Sequence, residues 1–512
     1  MKPFLLFLLL LPVSTLSAQL TLETPSTTAT DSIATDSIAP PKDSINHYSL
    51  SPYAYDDPNI SNPRPWRAAI EATAINVGVH VFDRFVLNED FAKSTFKTTW
   101  NNIRHGFVWD NDKFSTNLFA HPYHGNLYFN AARSNGLSFM ASVPYAFGGS
   151  LMWEVAGEVE PPALNDLIAT TIGGMAIGEV THRLSALVYD DRTKGSRRFL
   201  RELVGTIINP IGGLNRLIDG RAWRVRTDYY KYHDYDRFPI LFFVSVGNRY
   251  LADRGALFRG ETHPYLALNL TYGDAFNVEE NRPYDFFTAN AALSLTGKQP
   301  LIHGVHLIGR LWGTKIETGT DLQLTAGLFQ HYNYYDSEPV IDGSDLVPYR
   351  ISEAASFGPG RLYRLPTAGG VKRFEQQLYV NAILLGGSLS DYYKVIDRDY
   401  NLGSGFSVKM RTLVDFQKYG RLEMTADFLR IFTIKGVEDK DISATDPLHL
   451  NVQGNRSEAR LLVLRPNIFI HLTRNLDLHI SAAGYFRRTN YKNKPDVSSH
   501  TFVVRLGVAY NL

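Results

Sequence analysis

The residues that decide the fold are the last of the chain, FVVRLGVAYNL at positions 502–512. Apolar side chains stand at every second position, namely Phe502, Val504, Leu506, Val508, Tyr510 and Leu512. The other side of the run carries Val503, Arg505, Gly507, Ala509 and Asn511. This period of two predicts a strand with one apolar face. Its length matches a tilted membrane strand of about 9–11 residues, whereas soluble strands usually have about five or six.

The same alternation recurs upstream from about residue 238. Apolar positions alternate with polar ones over 287–296, 322–328, 406–416, 422–428 and 476–482. Counting such runs predicts about 12 strands, within the range of membrane barrels. We therefore expect residues 230–512 to form an all-β, transmembrane, antiparallel β-barrel of the outer membrane. The alternative is a secreted β-sandwich, which should have shorter strands.

The polar face of these runs should line the barrel lumen. It carries charged side chains, namely Arg310, Lys409, Arg411, Asp415, Glu423 and Asp427. These charges could line an open pore, and they suit a plugged lumen equally well. The mean hydropathy of −0.17 excludes a bundle of membrane-spanning helices but not a barrel, where only alternate residues face lipid.

Residues 61–225 have a different period. Apolar positions recur at helical spacing over 66–81, 138–156, 164–188 and 198–208, which predicts a mainly α-helical domain ahead of the barrel. Asp166 is placed to cap the third of these helices. The spacing of Gly174 and Gly178 should let two helices approach closely. We expect this domain to lie in the periplasm or to plug the lumen.

The N-terminus predicts export. Lys2, an uncharged apolar run over 4–13 and the small residues Ser17 and Ala18 are typical of a signal peptide over 1–18. Residues 19–60 repeat Asp-Ser-Ile and are rich in Ser, Thr and Pro, which predicts a disordered linker. The expected location is the outer membrane of a Gram-negative cell. The expected partners are outer-membrane lipid and the barrel-assembly machinery.

Composition excludes several classes of function. The sequence has no cysteine, so it holds neither a disulfide framework nor a thiolate site. Its 52 Lys and Arg balance 51 Asp and Glu, so a nucleic-acid partner is not expected. No His-Glu-x-x-His, Gly-x-Ser-x-Gly or phosphate-loop motif occurs, and we expect no cofactor.

One group of residues in the helical domain could carry chemistry. Ser150, Glu154 and Glu158 have the i, i+4, i+8 spacing that puts side chains on one helix face. Asp166 begins the next helix, and His121 and His124 stand on the loop before, beside Pro122. Together they could form a metal site or a general acid–base site.

A structural interpretation of the same residues is open as well. Buried carboxylates often bind arginines or backbone N–H groups, and Arg133 and Arg183 are available for Glu154 and Glu158. His121 would then only support a turn. Glu179 and Arg183 are four residues apart and are expected to form a salt bridge.

Residues 114–185 resemble an uncharacterised bacterial envelope family, domain of unknown function 3943. The residues that carry the resemblance are His121-Pro122-Tyr123-His124-Gly125, Ala132-Arg133-Ser134, Ser150-Leu151-Met152-Trp153-Glu154, Glu158, Pro161-Pro162, Asn165-Asp166, Gly173-Gly174, Gly178-Glu179 and His182-Arg183. The family has no assigned activity, so the resemblance implies an envelope location and little more. The closing strand also resembles the C-terminal signal read by barrel-assembly machinery, although Leu512 replaces the usual Phe.

Two functions follow from these patterns. The leading expectation is a non-enzymatic structural, binding or permeation role in the outer membrane. The alternative is an envelope enzyme that acts on lipid or another envelope substrate through His121, His124, Ser150, Glu154, Glu158 and Asp166.

Overall fold

The computed structural model describes residues 63–225 and 239–511, except 280, 342, 345, 368 and 441–449. The predicted signal peptide over 1–18, the predicted linker over 19–60 and Leu512 lie outside the described residues. The described chain forms a helical domain followed by a β-barrel.

The helices begin where the sequence supplies helix-starting residues. Pro65 begins α1, Thr95 and Thr98 form a reciprocal capping box at α2, and Ser138 caps α4. The helices are α1 (Pro65–Phe82), α2 (Phe96–His105), α3 (His121–Arg133), α4 (Phe139–Met152), α5 (Leu164–Ile168), α6 (Gly174–Val188), α7 (Gly195–Ile208) and α8 (Pro210–Ile218). The four predicted helices are confirmed, whereas the sequence analysis missed α2, α3 and α8.

The barrel is closed and has twelve antiparallel strands, as predicted. Each strand pairs with the next along the chain, and the last pairs with the first, with Val246 opposite Val508. The strands are β1 (Ile240–Ala252), β2 (Gly260–Tyr272), β3 (Phe287–Ser294), β4 (Ile302–Ile316), β5 (Gln323–Asp336), β6 (Arg350–Leu365), β7 (Arg373–Leu389), β8 (Tyr400–Asp415), β9 (Gly420–Thr433), β10 (Ser457–His471), β11 (Leu476–Tyr491) and β12 (Val497–Asn511).

The two faces of the wall differ as the period of two predicts. On β8, Val408 is 42% exposed and points outward. Its neighbour Ser407 is fully buried on the lumen side, where it donates a hydrogen bond to Glu353 and accepts one from Asn381. The exposed outer face is apolar over much of the wall, as a lipid-facing surface requires.

Part of that outer face is covered by the helical domain. On β5, Leu328 points outward and is exposed, and the alternate residues Gln330, Tyr332 and Tyr334 point the same way. The Tyr332 hydroxyl donates to the backbone oxygen of Leu118 (2.6 Å), and Gln330 Nε2 donates to the backbone oxygen of Ile172 (2.8 Å). The helices therefore lie beside the wall and not among the lumen-facing side chains of these strands.

Close packing holds α3 against α6. The Cα atoms of Gly125 and Gly174 lie against the facing helix, and a Cβ on Gly125 would overlap the backbone of Thr170. Gly178 packs against the Phe129 ring. The predicted close approach at Gly174 and Gly178 is confirmed.

The outer surface of α1 is apolar. Its buried side carries Ala68, Ala72 and Asn76. Its exposed side carries Trp66, Ile70, Val77, Val81 and Phe82, and no charged residue. This is the reverse of a helix on a water-soluble protein, whose exposed side is polar. In the described part of the chain, no helix is both long and apolar enough to cross a membrane.

The two rims of the barrel carry connections of different length. The rim that holds the start of β1 and the end of β12 has short turns at 416–419 and 472–475, together with one long connection at 273–286. The opposite rim carries longer connections at 337–349, 390–399 and 434–456.

Candidate functional site

Three of the predicted site residues meet at neighbouring helix ends. His121 is the first residue of α3, Glu154 lies in the π-helical turn after α4, and Asp166 lies in the first turn of α5. One possible ligand atom from each lies within 4.8 Å of the other two. His121 Nε2 is 3.7 Å from Asp166 Oδ1. We call these three residues the His-Glu-Asp cluster.

A short backbone pairing joins two of the chain segments around this cluster. The N–H of Val108 donates to the oxygen of Pro162 (2.9 Å), and the N–H of Leu164 donates to the oxygen of Val108 (2.8 Å). This pairing holds the segment before α3 against the start of α5. It brings Asp110, which the sequence analysis missed, next to Asp166.

Asp110 and Asp166 share a hydrogen-bond donor. Asn165 Nδ2 donates to Asp110 Oδ1 (2.7 Å) and to Asp166 Oδ1 (2.8 Å). Asn117 Nδ2 also donates to Asp110 Oδ1 (2.7 Å). The two amides therefore fix the orientation of both carboxylates. The only sequence signal for Asp110 is its place in a polar segment shortly before His121.

Glu154 is almost completely buried, with 1% of its surface exposed. Its Oε2 accepts a hydrogen bond from the N–H of Ala163 (2.8 Å). Among the described residues, its Oε1 has no hydrogen-bond partner. A buried acceptor without a partner is costly, which sets Glu154 apart from an ordinary structural carboxylate.

Glu158 does not share a helix face with Ser150 and Glu154, so that prediction is wrong. The turn from Trp153 to Gly157 is π-helical, and Glu158 follows it in an extended conformation. The wider turn rotates later residues away from the face that a regular α-helix would give. Glu158 Oε1 instead accepts a hydrogen bond from Trp153 Nε1 (2.7 Å). Ser150 stays on α4 and is buried.

The prediction that His121 and His124 lie on a loop is wrong, because both residues belong to α3. Pro122 occupies the first turn of that helix, where proline is tolerated. His124 Nε2 lies 3.0 Å from the Tyr128 hydroxyl, and its ring packs on Trp153. His124 is therefore outside the His-Glu-Asp cluster.

Asp166 does not cap a helix, contrary to the prediction. Ala163 is the N-cap of α5, and Asp166 lies inside the first turn. Its carboxylate faces His121 and Asn165 instead.

Burial controls the protonation of these groups. Desolvation, then repulsion from neighbouring carboxylates, raises the pKa of Glu154 and of Asp166 well above the usual values. The same two causes raise the pKa of Glu158 to about 8. Desolvation lowers the pKa of His121 to about 4. At neutral pH the cluster therefore combines a neutral imidazole with carboxyl groups that retain protons or bind a cation.

Arg133 and Arg183, the expected partners of Glu154 and Glu158, bind Glu179 instead. Arg133 Nε lies 2.7 Å from Glu179 Oε2, and Arg183 Nε lies 2.8 Å from Glu179 Oε1. All three side chains are buried. The predicted salt bridge between Glu179 and Arg183 is confirmed, and the structural pairing expected for Glu154 does not form with these arginines.

One family model matches part of the helical domain. Residues 106–211 match the model of a domain of unknown function, DUF3943. This range contains the resemblance predicted over 114–185 and holds the His-Glu-Asp cluster. No curated protein matches the chain.

Several solved structures are similar to the barrel part of the chain. The NanC porin matches at TM-score 0.26 and 9% identity, over 53% of this chain and 100% of that one. The outer membrane channel DcaP of Acinetobacter baumannii matches at 0.21 and 10%, over 54% and 96%. The toluene transporter TodX of Pseudomonas putida matches at 0.20 and 8%, over 53% and 88%. At these TM-scores none of the similarities supports an inference about function.

Proposed function

We propose that this protein is an outer-membrane binding protein in which the barrel is a nearly closed anchor and the helical domain holds the binding site. It would be exported through a cleaved signal peptide and inserted by the barrel-assembly machinery. The observation that carries this proposal is the packing of side chains in the lumen. The short turns beside the barrel termini would face the periplasm and the longer loops the cell exterior.

Ion pairs link buried, inward-facing side chains of adjacent or next-but-one strands. Lys409 Nζ lies 2.5 Å from Glu353 Oε2, which joins β8 to β6. Arg465 lies 2.7 Å from Asp427, which joins β10 to β9. One cavity between such residues has a volume of about 110 Å³, which is room for several waters.

The connection between β2 and β3 narrows the lumen further. Arg310 donates hydrogen bonds to the backbone oxygens of Ala275 and Asn277. Phe276 packs in an apolar cluster with Phe329 and Tyr379, whose side chains lie on the inner face. These contacts hold the turn inside the rim, which favours a plugged barrel over an open pore.

The proposal predicts a very small conductance. In planar lipid bilayers the purified protein should show no steady ohmic current of the size expected for a water-filled porin. The double variant Arg465→Ala, Asp427→Ala removes a charge pair from the cavity without leaving one charge unpaired, and it should conduct more than the parent. Large, stable current steps from the unmodified protein would contradict a closed anchor.

We propose further that the apolar face of α1 contacts lipid. The helical domain lies against outward-facing strand residues, which elsewhere on the wall are apolar and exposed. In the same domain, α1 exposes the apolar side chains of Ile70, Val77 and Val81. Water would disfavour so large an apolar patch, whereas the bilayer accommodates it. The proposal therefore puts the domain beside the barrel, whereas the sequence analysis expected a periplasmic domain or a plug.

A second function, general acid–base catalysis on a lipid or another envelope substrate, is favoured by the contact of His121 with Asp166. A neutral imidazole beside protonated carboxyl groups offers both a base and an acid. Fluorogenic phospholipids and short-chain esters, tested with the reconstituted protein and with Glu154→Ala, would show this activity as turnover lost in a folded variant.

A further inference from the structure

We propose that the His-Glu-Asp cluster binds one divalent transition-metal ion, with Zn²⁺ as the representative ion. The proposal rests on the proposed binding role and gives that role a ligand. His121 would supply a ring nitrogen, and Glu154 and Asp166 would supply one carboxylate oxygen each.

The distances fit such an ion. Two ligand atoms that each lie about 2.1 Å from a tetrahedral ion are about 3.4 Å apart. His121 Nε2 and Asp166 Oδ1 are 3.7 Å apart, and all three possible ligand atoms lie within 4.8 Å of one another. Side-chain rotations that bring the ligand atoms to about 3.4 Å from one another would complete the coordination.

The surroundings also resemble those of a metal ligand set. Glu154 Oε1 is buried and lacks a hydrogen-bond partner among the described residues. Asn165 holds the Asp166 carboxylate through Oδ1, as outer hydrogen bonds commonly orient metal ligands. Asp110, which Asn165 also binds, adds negative charge next to the site. A cation would relieve the repulsion among these carboxylates.

The donor set selects the class of ion. Calcium takes about 6–8 oxygen ligands, and magnesium retains several waters, whereas an imidazole suits zinc and its first-row neighbours. One nitrogen and two carboxylates give three protein ligands, which leaves a fourth position for water or a substrate. Such an open position is typical of zinc sites with a chemical role.

The comparison with Glu179 supports this interpretation. Glu179 is equally buried, but two arginines neutralise it. Among the ion pairs of the described residues, Glu154 has no cationic partner, and Asp166 meets only His121. The buried carboxylates of Glu179 and Glu154 thus have opposite electrostatic surroundings, and Glu154 is the one that needs a cation.

The test uses the full chain, purified in detergent and freed of metal. Titration with Zn²⁺ followed by calorimetry should show one site per chain, and Co²⁺ at the same site should give visible absorption bands. His121→Gln and Asp166→Asn should each weaken Zn²⁺ binding at least about 10-fold. Substitution of a residue that only hydrogen-bonds to a metal ligand already lowers metal affinity by about that factor. Mg²⁺ and Ca²⁺ should compete poorly.

His124→Gln is the matched control, because His124 lies in the same helix but bonds to Tyr128. It should leave the affinity for Zn²⁺ unchanged. Binding should also weaken as the pH falls, because the carboxyl groups must lose their protons before they bind metal. Calorimetry in buffers of different ionisation enthalpy would measure that proton release.

Two results would overturn the proposal. One is the absence of a stoichiometric site in the folded parent. The other is equal affinity in the parent and in the folded His121→Gln, Asp166→Asn double variant. Neither result bears on the closed barrel, because the bilayer conductance tests that proposal separately.

Discussion

Glu179→Gln is expected to destabilise the helical domain by about 3–5 kcal/mol, the usual effect of removing one partner from a buried ion pair. The carboxylate of Glu179 lies between Arg133 and Arg183, at 2.7 and 2.8 Å. Glutamine has nearly the same shape but carries no charge. The substitution therefore removes the anion that the two buried guanidinium groups share, although Arg183 keeps a second carboxylate nearby, Asp285 at 3.6 Å. The free energy of unfolding in detergent, measured by denaturant titration, would record the loss.

Asp90→Asn is the control for this measurement. Asp90 also binds a cation, Lys93, at 2.6 Å, but its side chain is 94% exposed. Exposed ion pairs contribute little to stability, so this variant should unfold almost like the parent. If Glu179→Gln proves as stable as Asp90→Asn, the arginines find other partners and the triad does not hold α3 to α6.

The stabilisation by Glu179 should depend on pH in one direction. Burial opposes ionisation of Glu179, but the two arginines outweigh burial and hold its pKa below the usual value. A lowered pKa in the folded state means that the stabilisation is complete above the pKa of the unfolded chain. It is lost as the pH falls through the lower, folded value. The difference between the parent and Glu179→Gln should therefore shrink in acid.

The barrel was predictable from sequence because one physical rule acts on every strand. A strand between lipid and lumen must alternate apolar and polar residues over its whole length, and β12 shows this from Phe502 to Asn511. The closure of the sheet then follows, because an unpaired edge is not tolerated in lipid.

The position of the helical domain was not predictable in the same way. Tyr332 and Tyr334 alternate like lipid-facing residues, although helices cover them. Both environments are apolar, so the sequence pattern is the same. The arrangement of the candidate site was partly missed for a local reason, since the π-helical turn before Glu158 leaves no mark in the spacing of residues. Asp110 joins the site only through a long-range backbone pairing.

Val77→Arg should destabilise the protein by about 2.5–3.5 kcal/mol if α1 faces lipid. Val77 lies in the C-terminal half of α1 and is 56% exposed on the apolar face. In water, an arginine at such a position would change stability by no more than about 0.5 kcal/mol, because surface substitutions there disturb no packing. In the bilayer, its charge must leave water or pull water inward. Contact with lipid and contact with water therefore predict clearly different changes in the free energy of unfolding.

The measurement compares unfolding in liposomes for three chains: the parent, Val77→Arg and Ser196→Arg. Ser196 lies on α7 beside the charged residues Lys194 and Arg197, and all three are exposed, so an arginine there should remain hydrated. A large effect of Val77→Arg with little effect of Ser196→Arg would support lipid contact along α1. If both variants unfold like the parent, α1 does not contact lipid, and the proposed lipid contact is wrong.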